Sequence, residues 1–151
     1  MIQPTYSEFE QLCRQGNLIP MFTVISGDLN TPVSAFMKID DFTSSFLLES
    51  VEGGKKWSRY SFLGSEPRLI IKIKDHAAEI TVEGQTKTID SGGSPTSLIK
   101  QVMSQFHPVP LSGLPEFFGG AVGFFSYDIV RNFERLLDLS KPDLGFHDAL
   151  F

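Results

Sequence analysis

Cysteine, long apolar runs and excess positive charge are all scarce in this sequence of 151 residues. A single cysteine, Cys13, cannot form an internal disulfide, which is typical of a reducing compartment. No apolar run approaches the roughly 20 residues of a membrane-spanning helix, and residues 1–11 lack the basic and apolar segments of a secretion signal. The net charge of −5 argues against nucleic acid, since phosphates require lysine and arginine. We therefore expect a cytoplasmic protein with no nucleic-acid and no membrane partner.

Motifs of catalysis and metal binding are also missing from the sequence. The three histidines, His76, His107 and His147, stand apart and do not have the spacing of zinc ligands. The glycines at 119–123 do not follow the G-x-G-x-x-G order of a dinucleotide-binding loop, and no G-x-S-x-G nucleophile motif occurs. The sequence therefore predicts no catalytic residue, no metal ligand and no cofactor site within residues 1–151.

The composition is that of a folded domain. Hydrophobic residues make up 41% and charged residues 21% of the chain, a balance typical of globular proteins. A chain of this length is ordinary for one domain with its own core. The 14 phenylalanines predict either an aromatic-rich interior or a large surface that is meant to be covered.

Three helix starts are predicted from capping signals. The sequence S-E-F-E at 7–10 has the pattern of a capping box, and the helix that it begins is predicted to bury Cys13 and to end near Gly16. Thr31-Pro32 and Ser94-Pro95 each place an N-cap residue before a proline at the first helical position. Both of these helices carry apolar residues at helical spacing, so each is predicted to have one apolar face.

The β-branched and aromatic runs predict strands that are joined mostly by short turns. The predicted strands span residues 19–25, 45–51, 57–64, 69–74, 78–82 and 86–89, with a hairpin turn at Glu83-Gly84-Gln85. The stretch 117–130 is predicted to be a buried strand that runs into a short helix, and its glycines are interpreted as sites of close backbone packing. This order predicts an α+β fold, with a largely antiparallel β-sheet and flanking helices.

One stretch places polar residues where an apolar run should continue. It reads FLLESVEGGKKWSRYSFLG, with Glu49 and Ser50 after the first apolar run and Arg59 beside the second. A hairpin through its Gly-Gly pair would bring residues 48–50 alongside residues 59–61. Two interpretations remain open: a ligand site, or the polar end of a strand on which Glu49 pairs with Lys55 or Lys56. Residue types alone favour the second, because exposed charge pairs are common and contribute little to stability.

This stretch and a second one resemble a known family. FLLESVEGGKKWSRYSFLGSEPRLII, followed by FFGGAVGFFSYDIVRNFERL, closely resembles the N-terminal region of anthranilate synthase component I, and the resemblance runs over nearly the whole chain. The LLES-x-E-x-G…RYSF pairing is fairly specific to this branch, whereas GG-x-x-G-[FY]-x-x-YD is shared with aminodeoxychorismate synthase component I. The resemblance implies that residues 1–151 are the N-terminal regulatory domain, with the fold of that domain, and that the chain stops before a C-terminal chorismate-binding domain.

The activity that the resemblance implies concerns the whole protein. Family members convert chorismate and glutamine-derived ammonia to anthranilate and pyruvate, a lyase reaction of tryptophan biosynthesis. Their ammonia comes from a glutamine amidotransferase subunit, component II, and Mg²⁺ binds near chorismate. The catalytic and metal-binding residues belong to the C-terminal domain. The resemblance therefore implies a partner domain and a partner subunit for this chain, but no active site within it.

In the family, the N-terminal domain supplies much of the site for feedback inhibition by L-tryptophan. The resemblance places part of this site on Leu48, Glu49 and Ser50, and its basic position on Arg59. These residue types suit a zwitterion, because the glutamate can accept from the ammonium group and the arginine can donate to the carboxylate. The walls of an indole slot would come from Leu48, Tyr60 and Phe62.

Two alternative functions remain open beside this one. The chain could instead be the N-terminal domain of aminodeoxychorismate synthase component I, of the folate route, and the product of the whole protein would distinguish the two. A non-catalytic interaction module is the other alternative, which the many phenylalanines and the missing catalytic motifs favour.

Overall fold

A computed structural model of the chain describes residues 1–50, 60–135 and 144–151. These ranges contain three α-helices, a 3-10 helix and seven strands, and every strand pair in them is antiparallel. The predicted α+β class with a largely antiparallel sheet is therefore confirmed. The elements are α1 (Tyr6–Leu12), α2 (Pro32–Ile39), β1 (Phe46–Glu49), β2 (Ser61–Gly64), β3 (Leu69–Lys74), β4 (Ala77–Val82), β5 (Gln85–Asp90), α3 (Pro95–Met103), β6 (Phe124–Phe125), the 3-10 helix (Tyr127–Asn132) and β7 (Ala149–Leu150).

The chain divides into two compact units. The smaller unit is Ile25–Arg68, and the larger one combines Met1–Val24 with Leu69–Phe151. That residues 1–151 act as a single regulatory domain stays a prediction. In the parts of the chain that the structure describes, no helix is both long enough and apolar enough to cross a bilayer.

The larger unit is built on a five-stranded sheet with the order β5-β4-β3-β7-β6. Strand β7 comes last in the chain but lies between β3 and β6, where Ala149 is paired with both Ile73 and Phe125. Strands β4 and β5 are joined by Glu83 and Gly84, whose φ angles of 49° and 80° are those of a type I′ hairpin turn. The predicted turn at this position is therefore confirmed.

The core of the larger unit lies between β3 and α3. Ile71 and Ile73 alternate with lysines along β3 and are 1% and 0% exposed, so one face of the strand is apolar. Leu98 and Val102, four residues apart on α3, pack into the same cluster. The helix begins as predicted at Ser94, whose hydroxyl accepts from the backbone N–H of Ser97 at 3.4 Å.

The smaller unit consists of α2 packed on the β1–β2 hairpin. Helix α2 begins as predicted at Thr31, whose hydroxyl accepts from the backbone N–H of Ser34 at 3.1 Å. In return, the Thr31 N–H donates to the Ser34 hydroxyl at 2.9 Å, so two donors of the helix start are satisfied. The loop after the helix is held by Asp41, whose carboxylate accepts from the N–H groups of Thr43 and Ser44, both at 2.9 Å.

The first helix begins two residues earlier than predicted. Its cap is Thr5, and the Glu8 carboxylate accepts from both the N–H and the hydroxyl of Thr5, at 2.8 and 2.7 Å. The sequences T-Y-S-E and S-E-F-E both fit a capping box, and pattern alone does not choose between them. The helix ends at Leu12, and Cys13 is exposed, so the prediction that this cysteine is buried is wrong.

One predicted strand, at residues 19–25, is wrong, and another, within residues 117–130, is much shorter than expected. Residues 19–25 form no strand; their neighbourhood contains single bridges only, Gln3 with Phe22 and Leu18 with Pro108. Prolines have no N–H to donate, so Pro20 and Pro108 interrupt any ladder here. The predicted buried strand in 117–130 is reduced to β6, whose Phe124 is 48% exposed.

Gly123 shows why the glycine-rich stretch before β6 needs glycine. A Cβ atom at this position would lie 1.9 Å from the Leu150 carbonyl oxygen and 2.7 Å from the Phe151 Cα. Both are backbone atoms next to or within β7, and they cannot swing aside. The interpretation of these glycines as marks of close backbone packing is confirmed at Gly123.

Candidate functional site

The sequence-predicted site lies where β1 ends and β2 begins, at the opposite end of the strand pair from Phe46 and Gly64. Leu48 is paired with Phe62, and Glu49, the last residue of β1, is paired with Ser61. The expected alignment of 48–50 with 59–61 is therefore wrong by one residue. Such a shift moves every side chain to the other face of a strand.

The observed register matches residues of the same polarity. Leu47 is paired with Leu63 and Leu48 with Phe62, so apolar side chains meet across the strands and the Glu49–Ser61 pair remains for the polar end. In the expected register Leu48 would have been opposite a serine. Matching the apolar residues of the two strands would therefore have predicted this register from the sequence. It would also have predicted that Ser61 lies opposite Glu49.

One face of the hairpin carries an aromatic surface. Leu48 and Phe62 are a directly opposed pair, and Tyr60 lies two residues before Phe62 along the chain, so the three residues share a face. The Tyr60 and Phe62 ring centroids are 6.1 Å apart with an interplanar angle of 31°. Leu48 and Tyr60 are each 48% exposed. We call Leu48, Tyr60 and Phe62 the aromatic face.

The opposite face of the hairpin is polar at the Glu49–Ser61 pair. Glu49 points away from Leu48 because successive side chains of a strand alternate, and its partner there is Ser61. Glu49 is exposed, and within residues 1–50, 60–135 and 144–151 no hydrogen bond or ion pair of its carboxylate is found. The alternative interpretation, in which Glu49 pairs with Lys55 or Lys56 at the surface, involves two lysines that lie outside the described residues.

The structure thus brings three of the four predicted site residues to one strand end. Ser50 is exposed and follows the last residue of β1 directly. Arg59 lies outside the described residues. Leu48 and Glu49 are on opposite faces of β1, and Ser50 follows them at the end of the strand. The geometry therefore describes a strand-end site rather than a pocket within one face.

The larger unit offers weaker candidates for a site. An open depression of about 640 Å³ lies at the β3–β4 turn, beside Asp75, His76 and Asp90. The Asp148 carboxylate there accepts from the backbone N–H of Asp75 at 2.6 Å, which stabilises the turn. Among the residues that the structure describes, no group of three histidine, cysteine, aspartate or glutamate side chains could hold a metal ion.

A comparison with curated proteins finds relatives in the family that the sequence resembles, and the matches cover 94–100% of the chain. The chain is 36% identical over 152 residues to anthranilate synthase component 1 of Acetivibrio thermocellus, with 100% of the chain and 30% of the relative covered. It is 39% identical over 147 residues to the Pseudomonas aeruginosa protein of that name (95% and 30% covered). With the Synechocystis protein it shares 38% over 144 residues (94% and 28% covered). The chain thus spans about 30% of the length of the curated relatives it matches. No protein-family model matches it.

Proposed function

We propose that this chain, which matches the N-terminal region of the anthranilate synthase component 1 family, forms part of the site at which L-tryptophan inhibits that enzyme. The observation that carries the proposal is the LLES element at an exposed strand end, in a chain that is aligned over its whole length with these relatives. On this proposal, the whole protein converts chorismate and glutamine-derived ammonia to anthranilate and pyruvate in the cytoplasm.

The remaining parts of the reaction lie outside this chain. The chain spans about 30% of its relatives. On this proposal, the active site and the Mg²⁺ that would support it belong to the chorismate-binding domain of the whole protein. Component II, a glutamine amidotransferase, is the partner that would supply ammonia. The contribution of residues 1–151 is regulatory, because the site residues that they offer suit an amino acid rather than a reacting chorismate.

The exposed groups at the strand end match the groups of tryptophan. The Glu49 carboxylate is a hydrogen-bond acceptor for an ammonium group. Arg59, which lies outside the described residues, is of a residue type that donates to a carboxylate. Ser50 is small and exposed, so a ligand can approach the backbone closely there. Leu48 offers apolar contact on the opposite face from Glu49. A ligand with a charged end and a flat apolar end can therefore bridge the two faces at Ser50.

Substitution of Ser50 by phenylalanine in the full-length protein tests the proposal. Ser50→Phe fills the space beside the strand end, so the enzyme is expected to keep its activity and to lose inhibition by L-tryptophan. Product formation is followed at increasing tryptophan, with L-phenylalanine as the control ligand. Ser112→Phe, at an exposed loop serine of the larger unit, is the matched control and is expected to respond as wild type does. Wild-type enzyme that ignores tryptophan, or Ser50→Phe enzyme that is inhibited as wild type is, would contradict the proposal.

A further inference from the structure

We propose that Phe42, in the loop between α2 and β1, is an anchor residue by which this chain binds the ammonia-supplying subunit, component II. The side chain of Phe42 is 91% exposed, so it makes almost no contact within the chain itself. The inference rests on the proposed function, which includes that subunit as a partner. It concerns a loop before the start of β1, whereas the proposed feedback site lies where β1 ends.

The backbone of Phe42 is in a conformation that phenylalanine rarely adopts. Its φ angle is 58°, in the left-handed region, where a bulky side chain is an outlier and glycine, asparagine or aspartate is ordinary. The ring therefore adds backbone strain and exposed apolar surface, and it gains no packing within the chain. Residues that break a local rule in this way collect at functional sites, which points to a contact outside the chain.

The loop holds Phe42 in one position. The Asp40 carboxylate accepts from the backbone N–H of Phe42 at 3.0 Å and also from the hydroxyl of Ser45. The Asp41 carboxylate accepts from the N–H of Thr43 at 2.9 Å. A group that is ordered before binding loses less conformational entropy when it binds, and aromatic residues are enriched at interfaces. The loop is thus preorganised to present an aromatic ring to a partner.

The charge around Phe42 describes the surface that would receive it. Asp40 and Asp41 precede the ring directly, and residues 40–49 contain no lysine or arginine. Complementary charge steers association and disfavours wrong partners, so the receiving surface is an apolar pocket bordered by basic side chains. A second copy of this chain is disfavoured, because a symmetric contact would bring the same carboxylates together. On the proposed function, the separate protein partner is component II, and the surface is assigned to it.

Binding and activity of the full-length protein with purified component II test this assignment. Phe42→Asn removes the ring and suits the left-handed backbone, so the variant is expected to have a urea midpoint no lower than that of wild type. Its dissociation constant for component II, measured by isothermal titration calorimetry, is expected to rise by about tenfold, as the loss of an interface anchor does. With component II limiting, activity with glutamine should fall, whereas activity with an ammonium salt, which needs no amidotransferase, should stay at the wild-type level.

Two further variants are the controls. Phe42→Tyr keeps the ring and is expected to retain the wild-type dissociation constant within about threefold. Leu29→Asn removes an apolar side chain that is 97% exposed in the same unit but lies before α2 rather than after it. This variant is expected to leave the dissociation constant within about twofold of wild type.

The outcomes separate this inference from the proposed function. An unchanged dissociation constant for Phe42→Asn would overturn the inference, and so would an equal loss of binding in Leu29→Asn. If Phe42→Asn changes self-association in sedimentation but not the binding of component II, a second copy receives the ring and the inference is wrong. If Phe42→Asn loses ammonium-dependent activity and has a lower urea midpoint, the role of the loop is structural and the inference is also wrong. If the wild-type protein forms no anthranilate from chorismate and an ammonium salt, the proposed function fails and this inference fails with it.

Discussion

Replacing Gly123 by alanine should strongly destabilise the larger unit. The new Cβ would lie 1.9 Å from the Leu150 carbonyl oxygen, 2.8 Å from the Leu150 carbonyl carbon and 2.7 Å from the Phe151 Cα, all far inside van der Waals contact. Relief requires β6 to move away from β7, which breaks the pairing of Phe124 and Phe125 with that strand. Overpacking of side chains typically costs about 1–3 kcal/mol. A clash with backbone atoms belongs at the upper end of this range, so we expect Gly123→Ala to lower the free energy of unfolding by about 3 kcal/mol.

Urea unfolding of the chain, followed by circular dichroism, measures this cost. The midpoint should fall while the slope of free energy against urea stays the same, because the substitution changes stability and not the surface exposed on unfolding. Gly119→Ala is the matched control, since a Cβ there meets no atom within 4 Å. It is expected to change the free energy of unfolding by less than about 0.5 kcal/mol. Equal midpoints for the two variants would refute the steric argument.

Two further predictions concern charged groups. Glu49→Gln in the full-length protein should raise the half-inhibitory tryptophan concentration by about tenfold, since a charge-assisted bond to the ligand ammonium weakens; an unchanged value would remove Glu49 from the site. The N–H groups of Ser44 and then Thr43 lower the pKa of Asp41 below its ordinary 3.8. The ionised Asp41 carboxylate therefore stabilises the fold at pH values above its ordinary pKa of 3.8. This stabilisation is lost as the pH falls through the lowered pKa. The stability difference between wild type and Asp41→Asn should shrink between neutral pH and about pH 3, and a constant difference would contradict this.

The sequence predicted those elements whose signals are local. Helices α2 and α3 begin where a capping residue precedes proline, because a cap satisfies donors within three residues of itself. The β4–β5 hairpin is likewise decided by its turn residues, Glu83 and Gly84. The predicted start of α1 was two residues too late because two overlapping capping patterns are present, and the helix uses the one at Thr5.

The missed features depend on residues that are distant in sequence. Strand β7 lies between β3 and β6, and no local pattern in two residues, Ala149 and Leu150, could indicate that place. The register of the candidate site was wrong by one residue because a glycine pair was taken to fix it. The pairing instead follows the apolar residues on each strand, which align Leu47 with Leu63, since mismatched polarity across strands costs stability.

A site at a strand end suits regulation better than an enclosed pocket within one chain would. On the proposed function, the contacts from this chain reach only part of the ligand, because Leu48 and Glu49 face opposite ways and Ser50 lies exposed between them. A ligand shifts a conformational equilibrium only to the extent that it binds one arrangement better than another. On the same proposal, an incomplete site meets this condition, because its remaining contacts would come from the rest of the protein and would depend on the arrangement. Feedback by tryptophan would then be a coupling free energy between two parts of the protein, and Ser50→Phe would remove it without touching the chemistry.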